Sequence, residues 1–209
     1  MESQDHGPPK RFTREYLTED SWLDQGHLPS KLNISDPDDF ALLWDLHPST
    51  HSEVRMGSRM VPIPRWQQSY IRDYKFSGNT AKAEDLPEEL EPYLKWADSL
   101  NYGEFNQFLV NWYEDGNHYI GPHADNTRPL VPDSPIITIS ICPSGTPRKF
   151  RIRNIGDKEI VRDIETINGL VLVMGGAFQK EFKHEIVKIT GKKAMEAGPR
   201  ISITLRQFK

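Results

Sequence analysis

His123-Ala124-Asp125 sets an imidazole and a carboxylate two residues apart. In an extended segment residues i and i+2 share one side, so the pair can supply two adjacent ligands to one octahedral metal. With 7 histidines and 30 acids in 209 residues, random placement yields about one His-x-acid pair. The chain holds two, and the other, His51-Ser52-Glu53, lies in a polar segment just after Pro48 and reads as loop. His184 falls in an alternating stretch further on. It completes a two-histidine, one-carboxylate set that leaves positions open for substrate and oxygen.

Arg200 and Arg206 lie six residues apart, a span of about 20 Å in a strand, and side chains leaning inward by about 7 Å each leave a gap of about 6 Å. That gap suits a short dicarboxylate. Between them Ile201, Ile203 and Leu205 share one face, and Ser202 and Thr204 join the arginines on the other. An inward polar face implies a ligand. Asn111 and Tyr113 share a strand face and offer an amide and a phenol as neutral donors. Pro64-Arg65-Trp66-Gln67-Gln68, Tyr70 and Tyr74-Lys75-Phe76-Ser77-Gly78 interleave cations with aromatics, a composition able to hold phosphates and stack an unpaired base. The competing reading is a hairpin whose Trp66, Tyr70 and Phe76 cover a barrel.

These residues need a scaffold. Asp36-Pro37-Asp38-Asp39 has the form of an N-cap, a first-turn proline and first-turn acids, so a short helix is expected through Phe40, Leu43, Trp44 and His47 to Pro48. A second is expected from Pro87-Glu88-Glu89, striped by Leu90, Tyr93, Leu94, Ala97 and Leu100 and stopped at Gly103. Beyond Gly103 the period becomes two, predicting strands over 107–113, 136–141, 149–153, 170–174, 182–189 and 200–206. Short strands at this spacing point to an antiparallel sandwich or jelly roll.

Composition sets the class. At 36% hydrophobic and 27% charged residues the chain is ordinary for one globular domain, not a disordered tail or a fibre. Its single cysteine, Cys142, rules out an intrachain disulfide and a thiol-rich zinc site, and a reducing compartment fits. The polar, acidic start is no signal peptide and no stretch approaches a membrane span. Net charge is −4, but residues 1–53 carry −7 while 54–78 and 148–162 carry +4 each. The two basic runs are either solvated surface or the flanks of one polyanion site.

Asn111-x-Tyr113-x-x-Gly116, Ile120-x-x-His123-x-Asp125, the 170–176 segment with Gln179, Phe182 and His184, and the Arg200/Arg206 ending together resemble the AlkB family of iron(II) and 2-oxoglutarate-dependent dioxygenases. The resemblance extends over about residues 60–206. It implies an α+β double-stranded β-helix (jelly-roll) domain over 13–209, with a core at about 104–207, a nucleotide-recognition lid at about 60–80 and a flexible tail over 1–12. It implies His123, Asp125 and His184 as iron ligands. It gives Asn111, Tyr113, Arg200 and Arg206 to 2-oxoglutarate, with Arg206 at the iron-chelating end and Arg200 at the far carboxylate. Arg65, Trp66, Tyr74, Lys75 and Phe76 are expected to hold the substrate, with Trp66 or Phe76 against the base and His123 beside it. Relatives acting on nucleobases often place an acid two residues after the iron aspartate; Thr127 stands there, which leaves base preference open. The implied activity is O2-dependent oxidative demethylation of N-alkylated bases in DNA or RNA, with release of formaldehyde, CO2 and succinate. A monomer in cytoplasm or nucleus, without membrane association, is expected. The rivals are a hydroxylase or demethylase of a protein or small molecule, and a non-catalytic nucleic-acid-binding module.

Overall fold

The computed structural model describes residue 9, residues 11–76 and residues 78–209. The expected tail therefore lies mostly outside the described residues, and its last member, Phe12, is buried with its ring edge-on to Tyr102. β1 (Thr13–Tyr16) and β2 (Ser21–His27) form a first hairpin. Thr18 closes its turn, with Oγ1 accepting from the Ser21 N–H at 3.0 Å.

α1 (Pro37–Trp44) starts as its sequence predicts, with Asp36 Oδ1 accepting from the Asp38 N–H at 2.8 Å, a cap worth about 1 kcal/mol. It ends at Trp44, short of the predicted Pro48, and its Leu43 carbonyl accepts from Trp112 Nε1 at 3.0 Å. β3 (Glu53–Met56) and β4 (Arg59–Pro62) make a hairpin turning at Gly57, whose φ of +64° favours glycine. β5 (Trp66–Tyr70) follows, then a hairpin of β6 (Tyr74–Phe76) and β7 (Asn79–Ala81), then β8 (Ala83–Glu84) parallel to β5. α2 (Glu91–Asp98) buries Tyr93 and Ala97, beginning four residues after the predicted Pro87.

The strands β9 (Gln107–Tyr113), β11 (Ile136–Ile141) and β16 (Arg200–Arg206) match their predicted bounds. β10 (Ile120–His123) precedes β11, and β12 (Arg148–Asn154), β13 (Ile160–Thr166) and β14 (Leu170–Gly176) follow it. A single-turn α3 (Phe178–Glu181) leads into β15 (Phe182–Ile186), shorter than predicted, and a 3-10 turn over Gly191–Ala197 leads into β16.

Eight strands form one sheet in the order β1-β2-β14-β11-β16-β9-β5-β8, and four form a second, β10-β15-β12-β13. This is the double-stranded β-helix. The large sheet also draws in β1, β2, β5 and β8, all before residue 104, which extend it beyond the eight strands of 107–206. β5 lies within the range expected for a lid yet is a sheet strand hydrogen-bonded to β9. Among the described residues only the hairpins β3–β4 and β6–β7 stand apart from the two sheets.

The alternation of β16 divides the interior. Ile201, Ile203 and Leu205 pack with Phe40, Leu43 and Tyr93 in the core beneath α1 and α2, each fully buried side chain stabilising by about 1.5–3 kcal/mol. Leu109, Tyr113, Phe150, Ile152, Met174 and Phe178 form a second cluster. Arg200, Ser202, Thr204 and Arg206 line a cavity of about 350 Å³ beside it. Among the described residues no helix is long and apolar enough to cross a membrane.

Candidate metal and cosubstrate site

β10 and β15 pair antiparallel with His123 opposite His184, after a register shift that separates His123 from Ile120. The imidazole centroids stand 4.3 Å apart. Asp125 follows two residues on, its backbone N–H held by Gln179 Oε1 at 2.8 Å. One ligand atom from each of His123, Asp125 and His184 lies within 4.8 Å of the others. The carbonyl of Gly121 contacts His123 Nδ1 at 2.9 Å; a carbonyl only accepts, so Nδ1 carries the proton and Nε2 keeps its lone pair.

Electrostatics favour the ligand forms. Burial, then the neighbouring His123, pushes the His184 imidazole down to about 3, and burial lowers His123. Both rings are neutral at pH 7, the state a metal needs. Burial opposes ionisation of Asp125, but Arg206, joined by the two imidazoles once acid has made them cationic, outweighs it and holds the carboxyl below the usual range. Arg206 Nη2 donates to Asp125 Oδ2 at 2.9 Å, and the Tyr74 hydroxyl donates to Oδ1 at 3.2 Å. A buried, hard-oxygen and two-imidazole set suits iron(II).

The same strand carries the second group. Arg206 also donates to Gln107 Oε1 at 3.0 Å. Arg200 is 2% exposed, lies over the Tyr113 ring and gives Nη2 to Ser140 Oγ at 2.9 Å. Its Nε and Nη1 are buried without a hydrogen-bond partner. Unanswered donors on a buried cation are costly, and a carboxylate answers them in a fork. Arg200 at one end, Arg206 beside Asp125 at the other, and Asn111, Thr138, Ser202 and Thr204 on the same cavity wall therefore fit 2-oxoglutarate.

The expected substrate residues divide. Tyr74 and Phe76 line the cavity, stacked at 6.0 Å, while Lys75 between them faces solvent. Arg65 also lines it, but as a buried group bonded to Asn111 and Gln67 rather than as a reaching phosphate contact. Trp66 does not line it: strand alternation turns it to the other face of β5, against His47 at 4.4 Å, His51 at 4.8 Å and His118 at 5.1 Å. Thr127 is exposed on the loop after Asp125 and lies outside the cavity lining. Ser77 lies outside the described residues. Gln67 and Gln107 were missed; stepping by two from Arg65 and pairing with Arg206 would have found them.

In the basic run 148–162 the four arginines already have protein partners. Arg148 is buried, donating to the carbonyls of Asp115, His118 and Val187, while Arg151 pairs with Asp163, Arg153 with Glu185 and Arg162 with Glu15.

Fold and site define an iron(II) and 2-oxoglutarate-dependent dioxygenase, an enzyme. Residues 41–206 match the model described as "2OG-Fe(II) oxygenase superfamily". The chain is 28% identical over 168 residues to the DNA oxidative demethylases ALKBH2 of Mus musculus and Homo sapiens, covering 75% of this chain and 67% and 61% of theirs. Among solved structures, that of OsALKBH1 superposes with a TM-score of 0.57 at 18% identity, over 93% of this chain and 100% of the other. A Pseudomonas putida prolyl-4-hydroxylase superposes at 0.50 and 17% identity, over 88% and 92%. The two superpositions show the shared fold. The chain belongs to the 2OG-Fe(II) oxygenase superfamily, as an AlkB-type member.

Iron(II) added without oxygen is expected to raise the melting temperature by about 5–10 °C at a hundredfold excess over its Kd. His184→Ala should lose most of that rise in differential scanning calorimetry. An equal rise in the variant would remove His184 from the site.

Proposed function

We propose that the enzyme oxidatively demethylates N-alkylated bases in nucleic acid, with iron(II) on His123, Asp125 and His184 and 2-oxoglutarate between Arg200 and Arg206. The observation that carries the reading is the β6–β7 hairpin: Tyr74 and Phe76 line the cavity as a stacked aromatic pair, with the Tyr74 hydroxyl on Asp125, and Lys75 is exposed to solvent. That is the arrangement of a base stack with a phosphate contact outside it. Arg55 and Arg59 are exposed on the β3–β4 hairpin, whose Glu53 carbonyl accepts from Asn79 of β7, so both hairpins present cations on one rim. Similarity to the ALKBH2 demethylases supports the substrate class.

When bound, iron(II), O2 and 2-oxoglutarate supply the oxidising power that hydroxylates a C–H bond, leaving succinate and CO2. The protein's part is placement. Asn111 and Tyr113 add neutral donors toward the cosubstrate, Phe76 and Tyr74 hold the base, and the rim cations hold the backbone. An alkylated base pairs poorly and is cheaper to extrude, which selects damage before any contact. The reading places the protein with nucleic acid, in nucleus or cytoplasm.

The test is formaldehyde release from single-stranded and duplex oligonucleotides bearing one methylated base, against unmethylated controls. Lys75→Ala with Arg55→Ala should weaken oligonucleotide binding and flatten its salt dependence. Phe76→Ala should cost about 1–3 kcal/mol of binding with the salt slope kept. Equal affinity and slope in all forms would instead favour a protein or small-molecule substrate.

A further inference from the structure

The cavity face of β5 has a polarity that neither the metal nor the cosubstrate uses. Arg65 and Gln67, two residues apart, both point inward and are 6% and 3% exposed. A guanidinium only donates. Arg65 Nε donates to Asn111 Oδ1 at 2.8 Å and Nη2 to Gln67 Oε1 at 3.1 Å. Arg65 thereby fixes the Gln67 amide with its oxygen consumed and its Nε2 left over. That Nε2 is buried with no hydrogen-bond partner. An unmet buried donor is costly and calls for an acceptor from a ligand.

The charge of Arg65 is likewise unbalanced, since its hydrogen bonds go to Asn111, Gln67 and the Tyr119 carbonyl, all neutral. The carboxylates on the cavity are committed elsewhere. Asp125 serves Arg206 and Tyr74, and Glu185 pairs with Arg153 at 2.6 Å. This wall therefore offers donors and a positive charge.

We propose that Arg65 and Gln67 select, among alkylated bases, the neutral ones with an oxo group at C4 of a pyrimidine or C6 of a purine, next to the alkylated nitrogen: N3-alkylated thymine or uracil and N1-alkylated guanine. The inference rests on the base-demethylation reading above. N1-alkylated adenine and N3-alkylated cytosine place an amino or imino group there and are cationic at neutral pH. They meet the Gln67 donor without an acceptor and the Arg65 cation with a like charge, in a buried setting where both penalties are large.

The experiment compares single-stranded oligonucleotides carrying N3-methylthymine, N3-methylcytosine, N1-methylguanine or N1-methyladenine, by kcat/KM for formaldehyde release and by fluorescence-anisotropy binding to the apoprotein. N3-methylthymine should exceed N3-methylcytosine at least tenfold. Gln67→Glu, which supplies an acceptor and an anion beside Arg65, should reduce that ratio at least tenfold while the KM for 2-oxoglutarate stays within twofold. Gln67→Met should bring the ratio toward one, and serves if the Glu variant does not fold. Turnover of N3-methylcytosine at an equal or higher rate overturns the inference and leaves base demethylation standing. A raised KM for 2-oxoglutarate with an unchanged base ratio overturns it by assigning Gln67 to the cosubstrate. Iron- and cosubstrate-loaded enzyme that turns over none of the four bases overturns the underlying reading, and this inference with it.

Discussion

Arg200→Met should stabilise the apoprotein and weaken cosubstrate binding by about a hundredfold or more, two effects of opposite sign from one side chain. Arg200 is buried over Tyr113, with one hydrogen bond to Ser140 and with Nε and Nη1 unanswered. Burial holds its guanidinium below its ordinary range, against the favourable influence of Tyr113 and Cys142. In a protein without 2-oxoglutarate this cation is a net cost, and an apolar side chain of similar length removes it. Replacing buried charges by apolar groups can be neutral or stabilise by about 1–4 kcal/mol, and a gain of about 1 kcal/mol in a chain of this size lifts the melting temperature by about 2–4 °C. The cosubstrate, in contrast, loses its partner for the far carboxylate. Truncating one side of a buried charge pair costs about 2–5 kcal/mol, so the Kd for 2-oxoglutarate should rise by about a hundredfold or more in isothermal titration. Arg200→Lys keeps the charge and loses the fork, and should fall between the two. A melting temperature that drops, or a Kd that does not move, would sink the assignment.

What the sequence disclosed follows from how strictly each strand alternates. β9, β11 and β16 are buried on both faces. Their runs of branched residues are long enough to fix bounds, and in β16 the polar half of the alternation exposed the ligand wall directly. β2 was illegible because its interior holds Asp24, a carboxylate that Arg14 grips at 2.7 and 2.9 Å and Tyr102 caps; a buried ion network erases the hydrophobic period. β13 was missed for the opposite reason. As the edge of the small sheet it exposes Ile160 and Val161, and its remaining polar residues look like loop. Trp66 shows the limit of composition. Its neighbours Arg65 and Gln67 face the cavity, so strand geometry sends it the other way, into a group of histidines. A lid counted by residue type could not see that β5 is a sheet strand. The candidate metal set was legible because two of its members are fixed by a two-residue step, whereas the His123–His184 register needs long-range pairing that no local pattern encodes.

Asp125→Ala should be the most damaging single change to the site, because this carboxylate both offers a metal ligand and neutralises Arg206. The pair is 2.9 Å apart with both side chains almost wholly buried. Arg206 also lies 4.6 Å from the Tyr74 ring and keeps Gln107 as a neutral partner, but neither cancels a full charge. Removing one partner of a buried ion pair costs about 3–5 kcal/mol, a fall of about 10 °C in the melting temperature at this size. Formaldehyde release and the thermal response to iron(II) should both disappear. Loss of iron alone does not explain the lowered apoprotein stability, and the double variant Asp125→Ala/Arg206→Met separates the two. With no cation left to strand, its apoprotein should recover most of the lost stability, giving a coupling energy of about 2 kcal/mol or more in the double-mutant cycle. Activity should stay absent, since the ligand and the arginine proposed for the near carboxylate are both gone. If Asp125→Ala melts within about 2 °C of the wild-type apoprotein, the ion pair is not what the buried geometry implies. If that variant still shows an iron-dependent rise, Asp125 is not a metal ligand, whatever becomes of the stability.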